Sequence, residues 1–226
     1  MQDATFKIEQ TKNNGSGAAG KTGPSEKNNW RTPRSLFDTL DRIYGFDLDA
    51  AADYQNHLCD RFFTAETDGL GRSWDEDSLE ESIFEPFLGP SSVWINPPYS
   101  ETRVETKGGE TKEITSRVWH KWVEKAISEV EAGNVRRVGM LIPAAIETAV
   151  WQNEIWPKAS LVLLFSGRVR FVDPETGSPK GSPAFPSAFV LFGDSTILQD
   201  DEETLQSLGT VVQAWNGPKA SQEGGQ

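Results

Sequence analysis

The chain has 226 residues, 36% of them hydrophobic, with 22 Lys and Arg against 34 Asp and Glu, and a formal net charge of -12. This length can hold one substantial domain with its own core, and the acidity argues against a nonspecific coat for nucleic acid, which needs a basic surface, while leaving room for a local basic cleft. One cysteine, Cys59, and two histidines, His57 and His120, exclude an internal disulfide and a cysteine-based zinc site and give no support to a histidine-rich metal site.

Residues Met1 to Asn29 are rich in Gly, Asn, Lys and Ser and carry no apolar signal core, so they read as a flexible tail. No run is long and apolar enough for a membrane span, and a reducing cytoplasm suits the lone cysteine. Thr32-Pro33 marks a helix start, with Thr32 as cap. Leu36, Phe37, Leu40, Ile43 and Tyr44 follow at helical spacing until Gly45. Phe46 to Ala50 and Arg61 to Thr64 form short strands, and Val93-Trp94-Ile95 is a buried strand leading into Asn96-Pro97-Pro98-Tyr99. The segment from Glu101 to Ser116 has alternating charges, Gly108-Gly109 and almost no large apolar residue. It is expected as a loop overhanging that motif. Trp119, Trp122, Val123, Ala126, Ile127 and Val130 mark an amphipathic helix. Val138 to Ile142 is a strand, Ala145 to Trp156 a helix, and Leu161 to Phe165 and Ala188 to Phe192 are further strands. Gly167 to Phe171 reads as a strand followed by a turn, which places an antiparallel edge near the end. Beyond Gly193 the chain turns acidic, then ends in Gly and Gln.

Strands alternating with helices predict an α/β sheet covered on both faces. Within it, Asn96-Pro97-Pro98-Tyr99 is the most informative motif. Each proline fixes its own φ and pushes its predecessor out of the helical region, so the motif is a stiff turn at a strand's carboxyl end. In open α/β sheets ligands gather there. The Asn96 side-chain oxygen and the Pro97 carbonyl are two acceptors for the two N–H groups of a planar amine, and Tyr99 offers a ring for stacking. A packed proline turn is the structural alternative. Asp47 and Asp49 either serve the site or cap the following element. Asp68 either serves it or makes the turn before Gly69. Arg168 and Arg170 bind phosphate or pair with Asp173 and Glu175. Cys59 is expected to be buried rather than catalytic.

Several elements stand in one order: Trp30-Arg31-Thr32-Pro33, Phe46-Asp47-Leu48-Asp49-Ala50-Ala51-Ala52, Asp68-Gly69-Leu70 with Trp74, Asn96-Pro97-Pro98-Tyr99, Leu141-Ile142-Pro143-Ala144, and Ser166-Gly167-Arg168 with Phe171. Together, from Trp30 to Gly193, they resemble the phage-type DNA N6-adenine methyltransferases, the Dam-like family. The resemblance implies a Rossmann-like fold that uses S-adenosylmethionine, with a mostly parallel sheet and an antiparallel edge near the C-terminus. It implies a catalytic domain over residues 30–195, between a tail over 1–29 and an acidic tail over 196–226. It implies methyl transfer to the N6 amine of adenine in double-stranded DNA, in the cytoplasm of a bacterium hosting a phage or prophage. The target amine falls to Asn96, Pro97, Pro98 and Tyr99. The cofactor falls to Trp30, Thr32, Asp47, Asp49 and Asp68, with no metal. DNA phosphates fall to Arg103, Lys107, Lys112 and Arg117, with Lys121, and to Arg168 and Arg170, with Lys180. One departure is the run Asp49-Ala50-Ala51-Ala52, which stands where many methyltransferases carry a glycine-rich loop. Cytosine N4 and protein glutamine are chemically close alternative substrates. A non-catalytic DNA-binding relative of the fold is the alternative of another class.

Overall fold

The computed structural model describes residues 31–75, 91–107, 110–173, 176–178 and 185–213, and of residues 101–115 the backbone alone. The expected tail over 1–29, Trp30 and Lys180 lie outside these residues. The apolar positions from Leu36 to Tyr44 form one stripe of α1 (Arg34–Tyr44), and Leu36, Phe37, Leu40 and Tyr44 are buried. Gly45, at φ 62°, ends that helix in the left-handed region that glycine adopts without steric penalty. Thr32 is not the cap. Pro33 holds that position, no side chain closes the first turn, and the Pro33 carbonyl accepts from the amides of Leu36 and Phe37.

The strands in chain order are β1 (Leu48–Asp49), β2 (Arg61–Phe62), β3 (Ser91–Ile95), β4 (Ser100–Lys107), β5 (Glu110–Arg117), β6 (Val135–Pro143), β7 (Leu161–Phe165), β8 (Ser187–Gly193) and β9 (Gly209–Gln213). Helix α2 (Trp119–Glu131) precedes β6, a π-helical turn (Trp151–Ile155) runs into α3 (Trp156–Lys158), and α4 (Gln199–Leu208) leads into β9. Among the described residues, seven strands form one sheet in the order β2-β1-β3-β6-β8-β7-β9. The junctions β2/β1, β1/β3 and β3/β6 are parallel, whereas β6/β8, β8/β7 and β7/β9 are antiparallel. The sheet is therefore mixed rather than mostly parallel, and its reversed strand β8 sits inside it, between β6 and β7. The physical reason is the connection. Among the described residues between β7 and β8 there is no covering helix, and β8 enters from the opposite end and pairs antiparallel.

Strand alternation sends side chains to two cores. Val93, Ile95, Val138, Met140 and Ile142 pack with Trp122, Val123, Ala126 and Ile127 of α2 and with Trp151. Trp94, Leu141, Phe189 and Leu191 pack on the opposite face with Leu36, Phe37 and Leu40 of α1 and with Leu205 and Leu208 of α4. Burying each such side chain fully contributes about 1.5–3 kcal/mol relative to exposure. Both cores converge on β3 and β6, the central strands, which hold the sheet rigid where β3 ends.

Three expectations need correction. Strands β4 (Ser100–Lys107) and β5 (Glu110–Arg117) pair antiparallel with eight cross-strand pairs, from Ser100↔Arg117 to Lys107↔Glu110, where an irregular loop was expected. Residues 199–213, expected in an acidic tail, form α4 and the edge strand β9. Gly167 to Phe171 is not a strand. Val169 and Phe171 are buried, and among the described residues the segment is bridged to Arg31 through Val172.

Candidate active site

A cleft of about 350 Å³ opens at the carboxyl ends of β1 and β3. One wall comes from the chain entering α1, with Arg31 and Thr32. A second comes from the turn after β1, a third from Thr64 to Leu70, and Asn96, Pro98 and Trp122 of α2 close the remaining side. The parallel register brings the first and last walls together. Leu48 and Asp49 of β1 pair with Val93 and Trp94 of β3, so both strands deliver their next residues to one edge.

Asp49 shapes the turn. Its carboxylate accepts from the Ala51 amide at 3.3 Å and the Leu58 amide at 3.1 Å, which draws the chain after β1 around the cleft. The Ala50 amide donates to the Trp94 carbonyl and the Ala52 amide to the Phe63 carbonyl. None of the three alanines has a positive φ, so the absence of a glycine-rich loop carries no backbone penalty here. The close approach is made instead by Gly69. A β-carbon there would stand 2.2 Å from the Ala50 carbonyl oxygen and 2.8 Å from Phe63 Cβ. Asp49 is 3% exposed. Burial pushes its carboxyl up to about 6, against the two amides and His57, which favour the ionised form.

Asp68 lines the cleft with a positive φ of 55°, and its side chain accepts from the Gly71 amide at 3.0 Å. Thr32 also lines it, and its buried hydroxyl has no hydrogen-bond partner among the described residues. Asp47 does not reach the cleft. At the start of β1 its carboxylate accepts from the Ser92 amide at 2.8 Å and pairs with Arg61 at 3.3 Å, which ties β1 to β3 and β2. Burial raises its proton affinity above the ordinary aspartate level.

Asn96 is half-buried and lines the cleft together with Pro98. Pro97 and Tyr99 are buried behind that wall. The Tyr99 ring meets Phe185 edge-on at 5.4 Å, and its hydroxyl lies 3.3 Å from both Asn96 Oδ1 and the Leu141 carbonyl.

The expected cations are dispersed. Arg117 is exposed at the end of β5, beside α2. Arg103, Lys107 and Lys112 belong to the hairpin, where the register pairs Arg103 with Ile114, Lys112 with Glu105 and Lys107 with Glu110. Arg170 is exposed, whereas Arg168 is half-buried with a guanidinium nitrogen that has no partner among the described residues, so the two do not share one open face. Sequence reasoning missed Arg31, Asp53, Asn56, Leu58 and Trp122 as cleft residues. Arg31 was the one signal available, because it stands inside the Trp-Arg-Thr-Pro element. It pairs with Asp53 at 3.6 Å across the mouth. Cys59 is buried, with its thiol donating to the Phe46 carbonyl and its proton affinity raised by burial.

The cleft suits an elongated ligand with an apolar body and a positive charge. It offers Leu58 and Leu70 as apolar walls, three carboxylates from Asp49, Asp53 and Asp68, and an orphaned hydroxyl at Thr32. S-adenosylmethionine, with its sulfonium and amino groups, fits that donor set.

The sequence model of the DNA N-6-adenine-methyltransferase (Dam) family matches residues 19–212, and the chain belongs to that family. A protein of Escherichia phage T1 named DNA N-6-adenine-methyltransferase is 32% identical over 177 residues, covering 69% of this chain and 60% of that protein. The chain therefore matches less than two thirds of that relative's length.

Proposed function

We propose that this member of the adenine-methyltransferase family transfers a methyl group from S-adenosylmethionine to the N6 amine of adenine in double-stranded DNA, on a Rossmann-like methyltransferase fold. The observation that carries the reading is the placing of Asn96, an acceptor-bearing side chain on a proline-stiffened turn, in one cleft with the carboxylates and the orphaned Thr32 hydroxyl.

Asp49, Asp68 and Thr32 hold the cofactor, with Asp53 and Arg31 at the mouth. The bound cofactor supplies an electrophilic methyl group on a sulfonium. Asn96 Oδ1 and the Pro97 carbonyl accept the two N–H bonds of the amine. An adenine amine is a poor nucleophile because its lone pair is delocalised into the ring. Accepting both N–H bonds favours a pyramidal nitrogen with a localised pair, and it stabilises the positive charge that develops there during transfer. The rest is positioning for in-line attack. The amine proton leaves afterwards to water, so no general base is needed.

A paired adenine must leave the duplex to reach this cleft, which requires on the order of a few kcal/mol. The β4–β5 hairpin is the element placed to hold the DNA. It springs directly from the motif, and the Val118 amide closes its base on the Tyr99 carbonyl at 3.3 Å. A two-stranded ribbon fits the major groove, and Arg103, Lys107, Lys112 and Arg117 supply the cations, together with Arg168 and Arg170.

The test is incubation of duplex DNA with the protein and S-adenosylmethionine, followed by nucleoside mass spectrometry. N6-methyladenine is expected. N4-methylcytosine alone, or methyl label on protein alone, overturns the assignment.

A further inference from the structure

We propose that Glu129 and Trp74 are positioning residues for the cofactor: from behind the cleft wall, Glu129 pins the Trp74 backbone to α2, and the Trp74 indole holds Gly69 against the turn after β1. The inference rests on the methyltransferase reading above.

Neither side chain lines the cleft. Trp74 is 0% exposed and Glu129 4%. Trp74 reaches the wall through its indole N–H, which donates to the Gly69 carbonyl at 2.6 Å. Gly69 lines the cleft beside Asp68 and Leu70, and it stands so close to the Ala50 carbonyl that no β-carbon fits between them. The wall at Gly69 is therefore held between two fixed points, the turn after β1 and the Trp74 indole. On the Trp74 side the anchor is Glu129. Its Oε2 accepts from the Trp74 amide at 3.1 Å and from Asn134 Nδ2 at 2.9 Å, and its Oε1 pairs with Lys125. The Lys125 ammonium also lies over the Trp74 ring, 5.4 Å from its centre.

Glu129 stands about two turns after Trp122 on the same face of α2, and Trp122 lines the cleft directly. One helix face thus supports the site at two points, at Trp122 by contact and at Glu129 through Trp74. The Asp68 carboxylate closes the bend locally on the Gly71 amide, whereas Trp74 and Glu129, 55 positions apart, tie that bend to α2. An ionised carboxylate suits the task because it only accepts, so it serves two N–H donors and an ammonium together. Burial works against its charge, but the hydrogen bonds from Lys125, Asn134 and the Trp74 amide outweigh burial and hold the carboxyl below the usual glutamate range.

Glu129→Gln keeps the size of the side chain and replaces one acceptor oxygen by a donor nitrogen. Trp74→Phe keeps an aromatic ring and removes the N–H. Leu205→Ala, in the core on the opposite face of the sheet, controls for plain loss of stability. The full-length proteins are titrated with S-adenosylmethionine by calorimetry at a temperature where each is folded. Glu129→Gln and Trp74→Phe should each raise the dissociation constant about tenfold, the size of one oriented hydrogen bond. The double variant should bind within about twofold of the weaker single, because both residues act through Gly69 in one chain. Methylation rates at saturating cofactor should stay within about twofold of wild type, and so should cofactor binding by Leu205→Ala. A further measurement needs no ligand. In ¹⁵N-labelled protein, the Trp74 indole resonance is identified by its disappearance in Trp74→Phe. It should move in Glu129→Gln and stay in place in Leu205→Ala. Wild-type affinity in either single variant overturns the proposal. So do losses that add in the double variant, an equal loss in Leu205→Ala, or an indole resonance that Glu129→Gln leaves unmoved. A wild-type protein that binds no S-adenosylmethionine defeats the methyltransferase reading itself, and the cofactor role of both residues with it.

Discussion

Replacing Asp49 by Asn tests how the cleft carries a buried charge. The two side chains have nearly the same shape, and the wild-type carboxylate accepts the Ala51 and Leu58 amides. Its proton affinity rises from the ordinary 3.8 to about 6 because the group is buried. Below pH 4 the carboxyl is neutral in both the folded and the unfolded chain. Between about 4 and 6 the folded chain keeps a proton that the unfolded chain has lost. Stability therefore falls as pH rises through that window, and the loss is complete above it. At about 1.4 kcal/mol for each tenfold change in proton affinity, the loss is about 3 kcal/mol. For a chain of this size it corresponds to roughly 6–12 °C in the midpoint of thermal unfolding. Asn cannot titrate. Its imperfect match to two amide donors is a constant offset, independent of pH. The assay is urea unfolding of ligand-free wild type and Asp49→Asn at steps from pH 4 to pH 7.5. The stability of Asp49→Asn minus that of wild type should grow by about 3 kcal/mol across the window. Subtraction removes Asp41 and Asp47, whose carboxyls burial also raises, and Asp194, which Thr196 and Arg136 lower. A flat difference would show that the carboxyl is solvated and that the cleft lacks the buried charge argued here.

The same linkage extends to the cofactor: a cation bound beside Asp49 favours its ionised form, so calorimetry should show wild-type affinity tightening from pH 5 to pH 7, with no such trend in Asp49→Asn. Asn96→Ala should lower turnover at least about a hundredfold while leaving cofactor affinity within about twofold, because the oxygen acts on the amine; normal turnover would place the reacting amine elsewhere. Gly69→Ala drives a β-carbon against the Ala50 carbonyl and should lower stability by about 1–3 kcal/mol and weaken cofactor binding; a denaturation curve matching wild type would refute that close approach. Replacing residues 101–116 with a short Gly-Ser link should preserve folding and cofactor binding but reduce DNA affinity and its dependence on salt; an identical salt slope and methylation rate would move the DNA contact to Arg168 and Arg170.

Much of the frame was legible from periodicity. Leu36, Phe37, Leu40 and Tyr44 announced α1, Trp119 to Ile127 announced α2, and the apolar runs announced β3, β6, β7 and β8, because each element buries a face whose spacing is written locally. The hairpin was not legible. Its strands are rich in Thr, Glu and Lys and, among the described residues, form a two-stranded sheet of their own, so no apolar alternation in the sequence announced them. Strand β9 was hidden for a related reason: it is a short edge strand, mostly exposed, behind an acidic helix.

The site divides in the same way. Asn96 could be placed from the sequence, since prolines dictate a stiff turn wherever they occur after a strand. The resemblance set Thr32 at the cofactor, but the residues alone gave it only the role of a cap, and they did not tell Asp47 from Asp49. Thr32 looks like a helix cap, yet its hydroxyl is orphaned at the cleft, because Pro33 begins the helix without it. Asp47 and Asp49 are two residues apart and look equivalent, but one knits β1 to Arg61 and Ser92 while the other bends the chain around the cleft. Arg31 and Asp53, 22 positions apart, meet only once α1 is docked beside β1. Side-chain periodicity reports what a segment buries, a local property. A cleft wall is made by contacts and hydrogen bonds between segments far apart in the chain, and those exist only after the sheet has closed.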